Sequence, residues 1–263
     1  MILICVLLCL GGCAGTERAA TDGNAAMAEL PGVTGTLPPP REDWAQVYTA
    51  FLEANHAPLQ ESCFGGVAGL GYIDLDLDGT PELVMFDSGA SAYMGVQLFD
   101  LVGDEVVCVS ASSVGTGLAF GGEELSPLYV DALFFDDFRL MESADGRRWF
   151  QAVSKNGAED FYYNELLRFA GAEGLLVPES VWYKRITTDP ATGAETGGSY
   201  TVGGVAVSAE ACAAAENAAA AAGTDTGYTA AGVFLWSDKG FGYDFDGFMA
   251  MAEAAAEAYV PVE

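Results

Sequence analysis

Positive charge is scarce in this sequence. Lysine and arginine together number 10 against 38 aspartates and glutamates, which gives a formal net charge of −28 over 263 residues. Such a surface opposes charge-driven binding to nucleic acid or to an anionic membrane, so we expect no nucleic-acid partner. Most of these carboxylates are expected to be solvated surface groups, and clustered carboxylates would attract cations.

Histidine is also scarce, and motifs of a catalytic nucleophile are absent. His56 is the single histidine, and its predicted place at a helix end is typical of a cap or a solvated side chain. The sequence has no G-x-S-x-G motif, so neither a Ser-His-acid nor a Cys-His centre is predicted. The Gly-rich stretch 115–122 has no Lys-Ser/Thr, which argues against a phosphate-binding loop.

The six cysteines include no CxxC pair. Three lie within the first thirteen residues, and the other three, Cys63, Cys108 and Cys212, are far apart. This spacing indicates neither a disulfide framework nor a zinc site. We expect small core residues, with one disulfide possible in an oxidising compartment.

Near the start of the chain, the apolar run from Ile2 to Leu10 is too short to span a bilayer but fits the hydrophobic stretch of an export signal. It leads into LGGC, Leu10 to Cys13, which resembles the lipobox of bacterial lipoproteins, where the chain is cut before a cysteine that becomes lipidated. The resemblance implies a signal peptide over residues 1–12 and lipid on Cys13. The alternative is a frayed apolar terminus.

Residues 14–40 lack a sustained apolar period, are rich in Ala, Gly, Thr and Pro, and end in three prolines. They predict a flexible tether, so that lipidated Cys13 and the tether together occupy residues 13–40. A single folded domain is predicted over residues 41–263.

The predicted domain begins with a helix. The stretch 42–58, EDWAQVYTAFLEANHAP, places apolar residues on one helical face, and Asn55 and Pro58 predict where the helix ends. From Gly66 to about Arg185, short β-type runs flank turns at 102–105, 144–147 and 171–174. These are hairpin signals in succession, which predict an antiparallel meander.

The C-terminal part of the predicted domain contains helices. Residues 189–198 predict a polar turn or mobile loop, and Gly203-Gly204 a tight turn between two strands. An alanine-rich helix follows, with Ser208 as its N-cap and Gly223 as its stop, and another is predicted from Phe245 to Tyr259. The predicted fold class is α+β: an antiparallel β-meander with an N-terminal helix and C-terminal helices.

The most specific motif is YIDLDLDGTPEL, residues 72–83. Asp74, Asp76 and Asp78 stand at positions 1, 3 and 5 of a D-x-D-x-D-G pattern, followed by Gly79 at position 6 and Glu82 at position 9. Calcium requires six to eight oxygens, and alternate residues of a tightly curled loop can aim oxygens at one point. A divalent cation would turn the mutual repulsion of these carboxylates into shared coordination, and the alternative is an acidic surface hairpin.

The loop differs from an EF-hand, because position 12 is Met85 instead of a bidentate glutamate and the flanks have strand character. It resembles the D-x-D-x-D-G-x-x-D/E calcium loops between paired strands in integrin-type FG-GAP repeats. The resemblance implies four side-chain calcium ligands and one backbone carbonyl ligand: Asp74, Asp76, Asp78 and Glu82, with Thr80 for the carbonyl.

The motif is also similar to the DxDxDGxxEL segment that follows an N-terminal helix in uncharacterised lipoproteins of Gram-positive gut bacteria. The order of features here resembles theirs: lipobox, tether, helix, acidic loop and hairpins. This resemblance implies no known reaction.

Two other close acid pairs, Asp136 with Asp137 and Asp244 with Asp246, allow a hydrolytic pair or a second metal site. Solvated turn or strand positions are the more common use of such pairs. Aromatic residues in and beside the strands are expected to lie mostly in the core, and any row that faces outward would suit a sugar or a protein.

From these features we expect a lipid-anchored, extracytoplasmic calcium-binding protein on the outer face of the cell membrane. It would be a non-enzymatic surface module for a glycan or protein ligand, with no catalytic residue assigned. The alternatives are a calcium-stabilised hydrolase that uses paired carboxylates on wall or dietary glycan, and a structural surface protein whose loop binds nothing.

Overall fold

The computed structural model describes residues 32–37, 39–62, 66–87, 94–109, 118–120, 123–125, 128–130, 135–172, 174–234 and 244–263. The predicted signal peptide, Cys13, the tether up to residue 31, and Cys63 lie outside the described residues. Within these ranges, no helix has both the length and the apolar character needed to cross a membrane. Cys212 is a buried free thiol.

The three helices of the described residues are α1 (Trp44–Ser62), α2 (Ala209–Ala221) and α3 (Phe245–Ala258). The predicted end of α1 is wrong, because the helix continues through Pro58 to Ser62. Beyond the proline, Leu59 is fully buried with Leu52 in one core cluster. Burial of that leucine outweighs the helical hydrogen bond that proline cannot make.

The strands of the described residues are short in the N-terminal half and longer in the C-terminal half. They are β1 (Val67–Ile73), β2 (Glu82–Asp87), β3 (Met94–Val102), β4 (Glu105–Val109), β5 (Leu118–Phe120), β6 (Glu123–Leu125), β7 (Leu128–Val130), β8 (Arg139–Glu142), β9 (Arg148–Ala158), β10 (Phe161–Ala172), β11 (Leu175–Thr188), β12 (Glu195–Val202), β13 (Val205–Ala206), β14 (Thr224–Asp225) and β15 (Gly232–Phe234). A 3₁₀ turn, Phe135–Asp137, precedes β8.

All strands except β5 and β6, which pair with each other, belong to one 13-stranded sheet. Its main order is β13-β12-β11-β10-β9-β7-β3-β2-β1-β15, with β4 beside β3, β8 beside β9 and β14 beside β8. The pairings are antiparallel, and most neighbours are consecutive in the chain. The predicted α+β class, with its antiparallel meander and flanking helices, is therefore confirmed.

The three predicted hairpins form where the sequence places them, as β3–β4, β8–β9 and β10–β11. Their turns contain Gly103, Gly146 and Gly174 with φ of 63°, 80° and 76°. This left-handed region is accessible to glycine without steric penalty. The predicted loop 189–198 is shorter than expected, because β12 begins at Glu195, which pairs with Thr188.

Helices α1 and α3 cover one face of the β1–β3 part of the sheet. Tyr48 of α1 and Phe248 of α3 are fully buried there with Tyr72 and Phe99 of the strands. The opposite face contributes Val84, Phe86 and Leu98 to a second core, as the two-residue period of a strand requires. The acidic motif lies at the β1–β2 turn.

The residues just before the predicted domain also pack on it. Val33 forms an antiparallel bridge with Arg148 of β9, through a hydrogen bond in each direction of 3.0 Å. Val33 and Leu37 contact the second core. The packed part of the chain thus begins before residue 41.

Candidate metal centre

The acidic loop is held by its leucines. Asp74 follows directly after β1, and the loop closes where Ile73 of β1 pairs with Glu82 of β2. Leu75 and Leu77, which alternate with the aspartates, are buried in the second core. Burial of these two leucines turns the intervening carboxylates toward a common point.

The backbone of the loop is tightly curled. Leu77 has φ of 63° and is the one non-glycine residue with positive φ in the described ranges. Gly79, at position 6, has φ of 93°. The predicted sharp turn at the glycine is therefore present. The leucine adopts a left-handed conformation, and burial of its side chain must offset the steric cost of that conformation.

The four loop carboxylates meet in space. One oxygen from each of Asp74, Asp76, Asp78 and Glu82 lies within 4.8 Å of the others. Three of the residues are buried, with 3% of Asp74, 8% of Asp76 and 1% of Glu82 exposed, while Asp78 is exposed. Like charges at such distances repel strongly away from water, so this arrangement demands a compensating charge or protons.

Backbone amides of the loop orient the carboxylates of its three aspartates. Gly79 N–H donates to Asp74 Oδ2 at 3.0 Å, and Asp78 N–H donates to Asp76 Oδ1 at 3.1 Å. A third amide, Thr80 N–H, donates to Asp78 Oδ1 at 2.7 Å. The loop therefore fixes one oxygen of each aspartate through its own backbone.

The fourth carboxylate, that of Glu82, contacts the opposite end of the loop. Leu75 N–H donates to Glu82 Oε2 at 2.5 Å. Glu82 Oε1 and Asp74 Oδ1 are buried and have no hydrogen-bond partner among the described residues. A buried carboxylate oxygen without a partner is strongly destabilising, and coordination to a cation would satisfy it.

Burial is the main cause of the raised pKa values of the loop carboxylates. Loss of hydration, reinforced by neighbouring carboxylates, raises the pKa of Asp74 and that of Asp76 to about 7. The same causes raise the pKa of Glu82 well above its usual value. Without a cation, the loop would therefore take up protons near neutral pH.

A fifth carboxylate, Asp100 of β3, lies beside the loop. Its place in this site was not predicted from the sequence. It is buried, and its Oδ2 accepts a hydrogen bond from Leu176 N–H of β11 at 2.6 Å. Burial raises the pKa of Asp100, and its charge acts on Asp76 and Glu82. The available signal was an acid inside the apolar run VQLFDLV, since a charge inside a buried strand needs a partner.

The arrangement can hold a metal ion through Asp74, Asp76, Asp78 and Glu82. An all-oxygen donor set suits hard cations such as calcium, magnesium or manganese. Ligation by the carbonyl of Thr80 stays a prediction.

Comparisons with known proteins give no relative. No protein-family model matches the chain. No curated protein and no solved structure matches it either. The resemblances to lipoproteins and to integrin-type loops remain predictions, and the geometry above carries the functional inference.

The other acid pairs have different surroundings. Asp244 is the N-cap of α3, where its Oδ1 accepts from Gly247 N–H at 2.7 Å, and Asp246 is exposed in the first turn. Asp137 is half-buried in the 3₁₀ turn, and the side chain of Asp136 lies outside the described part. Capping accounts for Asp244 without catalysis.

His56 is not at a helix end, so that prediction is wrong. It lies within α1 and packs edge-on against Phe248 and Phe245 of α3, with ring centroids 5.0 and 5.4 Å apart. The residue therefore belongs to the interface of the two helices.

The predicted aromatic strand residues lie mostly in the core. Four of them are buried (Trp149, Phe150, Tyr163 and Trp182), and three are half-buried (Phe161, Tyr162 and Tyr183). These residues give no fully exposed aromatic row.

Proposed function

We propose that this chain is a calcium-binding protein that acts outside the cytoplasm as a non-enzymatic binding module, anchored to the membrane by lipid on Cys13. The carrying observation is the pair of buried, unpartnered carboxylate oxygens, Asp74 Oδ1 and Glu82 Oε1, inside a cluster of four acids. A bound cation would satisfy both oxygens and remove the repulsion among the four charges.

Calcium is favoured over other hard cations by the way the loop presents its oxygens. Carboxylates at positions 1, 3, 5 and 9 meet around one point, and with the predicted carbonyl ligand at position 7 they suit an ion that accepts six to eight oxygens in irregular geometry. Magnesium demands near-octahedral geometry and retains its water. The glycine at position 6, Gly79, provides the turn found in such loops.

The surface location is supported by the lipobox-like LGGC. A weak calcium site would be consistent with it, since extracellular modules bind calcium at about 10⁻⁴ to 10⁻³ M. A binding role is favoured over hydrolysis because the four acids of the loop are accounted for as metal ligands and Asp244 as a helix cap. The ligand would be a surface glycan or protein.

Isothermal titration of the full chain with calcium tests the metal. We expect saturable binding of one calcium ion, weaker binding of magnesium, and loss of the calcium signal in Asp76→Ala. The matched control is Asp160→Ala, which changes an exposed aspartate in the β9–β10 turn. If the parent chain shows no calcium binding up to several millimolar, the loop is an acidic hairpin and the proposal is wrong.

Glycan and peptide substrate screens test the non-enzymatic role. We expect no turnover by the calcium-loaded chain. Robust turnover that is lost on substitution of Asp137 or Asp246 would favour the calcium-stabilised hydrolase instead.

A further inference from the structure

A cavity of 380 Å³ opens beside the acidic loop. Asp76 and Asp78 form one wall, Arg148 stands at the start of β9, and Phe169 and Ala170 come from β10. The volume falls within the range of small-molecule sites, which is about 300 to 1,000 Å³. The cavity therefore places polar, cationic and apolar groups around a space for one small organic unit, on the side of the cluster where Asp78 is exposed.

The loop supplies too few oxygens for a calcium ion by itself. Four carboxylates and one carbonyl give five ligands if each binds through one oxygen, whereas calcium takes six to eight. The bidentate glutamate of an EF-hand would stand at Met85, which is fully buried in the core under α1 and α3. One to three oxygens are thus missing, and the ligands Asp76 and Asp78 line the cavity.

We propose that this cavity binds a neutral saccharide unit whose two vicinal hydroxyls complete the coordination of the ion. The inference rests on the proposed function, because it requires calcium in the loop. A vicinal diol supplies two oxygens at one edge, and each hydroxyl also donates a hydrogen bond to a carboxylate oxygen such as those of Asp76 and Asp78. No covalent step is involved.

The remaining walls suit a sugar ring. Ala170 offers apolar surface to the ring, and the Arg148 guanidinium offers N–H donors to a hydroxyl or ring oxygen. Two of the arginine nitrogens already donate to backbone carbonyls, one of them Nη2 to Gly35 O at 3.2 Å, so the group is held in place.

Charge favours a neutral sugar over an acidic one. The four loop carboxylates exceed the two charges of a calcium ion, and Asp100 adds another negative charge nearby. The chain as a whole has a formal charge of −28. A polyanionic glycan would be repelled at long range and at the site.

The test is ligand-observed NMR on the full chain with methyl glycosides of mannose, galactose and glucose, in calcium and after chelation. We expect saturable, calcium-dependent binding that disappears when the vicinal hydroxyls are O-methylated. Ala170→Leu should fill the cavity and abolish sugar binding while calorimetric calcium affinity changes less than about twofold, since no proposed ligand is altered. Ala158→Leu makes the same change at an exposed position of β9 and should bind sugar like the parent.

The outcomes separate the two proposals. Calcium binding without binding of any glycoside at tens of millimolar would overturn the saccharide site and leave the calcium site intact. Absence of calcium binding would overturn the proposed function. Sugar binding that survives chelation, or binding of uronic acids alone, would also overturn the inference. If Ala170→Leu fails to fold, chelation and the O-methylated glycosides still decide.

Discussion

Gly171 of β10 lies directly against the carboxylate of Asp76: a Cβ atom at Gly171 would lie 2.6 Å from Asp76 Oδ2. A second contact joins the same hairpin to the site, from Leu176 N–H to Asp100 Oδ2 at 2.6 Å. The β10–β11 hairpin therefore closes over a loop that is about ninety residues away in the chain, and it limits where the Asp76 carboxylate can lie.

Gly171→Ala should weaken calcium binding. The added methyl group must displace the Asp76 carboxylate, and we expect about a tenfold loss of calcium affinity, or about 1.4 kcal/mol, measured by titration calorimetry. The matched control is Gly197→Ala in β12, where the nearest atom, Thr187 Oγ1, lies at an ordinary 3.5 Å. Equal affinities for both variants and the parent would show that Asp76 is not a ligand.

Calcium should stabilise the fold. Extracellular modules bind calcium at about 10⁻⁴ to 10⁻³ M, so about 1 mM calcium would add about 0.4 to 1.4 kcal/mol to the free energy of unfolding. At about 2 to 4 °C for each kcal/mol, thermal scans with and without chelator should differ by a few degrees.

Asp76→Ala and Asp78→Ala should remove most of that calcium-induced shift. Because either change also relieves repulsion among the remaining acids, the variant without calcium can be more stable than the parent. The comparison is therefore the shift that calcium produces within each protein. Asp160→Ala should keep the parental shift, and a shift of the parental size in Asp76→Ala would contradict the assigned ligands.

The calcium-free chain should become more stable on mild acidification through its loop carboxylates. The pKa values of Asp74 and Asp76 are raised to about 7 in the folded chain, against about 3.9 for an unfolded aspartate. Between these values the folded state binds more protons than the unfolded state, so this contribution to stability grows as pH falls from about 7 toward 4.

Bound calcium should reverse this trend, because the ion holds the carboxylates deprotonated. Urea unfolding at several pH values, on chain freed of metal by dialysis and on chain in saturating calcium, measures both slopes. The Asp74→Asn and Asp76→Asn double variant should flatten the slope of the metal-free chain. If the metal-free parent and the metal-free double variant show the same dependence of unfolding free energy on pH, the raised pKa values are contradicted.

Cys13 should carry lipid. Expression in a bacterial host with metabolic fatty-acid labelling is expected to label the parent chain and leave Cys13→Ala unlabelled, because the thiol is the acceptor in the LGGC motif. Cys212→Ala is the matched control, since Cys212 belongs to α2 and its side chain is buried. Label retained in Cys13→Ala would exclude the anchor.

Features encoded over a few adjacent residues were predicted from the sequence. The hairpin turns contain glycine with left-handed φ, as at Gly103, because steric limits on the backbone act within a single residue. Helix α2 starts where Ser208 Oγ accepts from Ala211 N–H. The D-x-D-x-D-G spacing likewise brings its carboxylates together within one curled segment.

The tertiary structure alone decided which acids are buried and what packs on them. Asp100 and Gly171 reach the loop from β3 and β10, and no pattern in residues 72–83 refers to either. Helix α1 continues beyond Pro58 because a distant core accepts Leu59. Local sequence fixes backbone geometry through short-range sterics and hydrogen bonds, whereas desolvation, and with it the altered acidity of Asp74 and Glu82, depends on every segment that excludes water from the site.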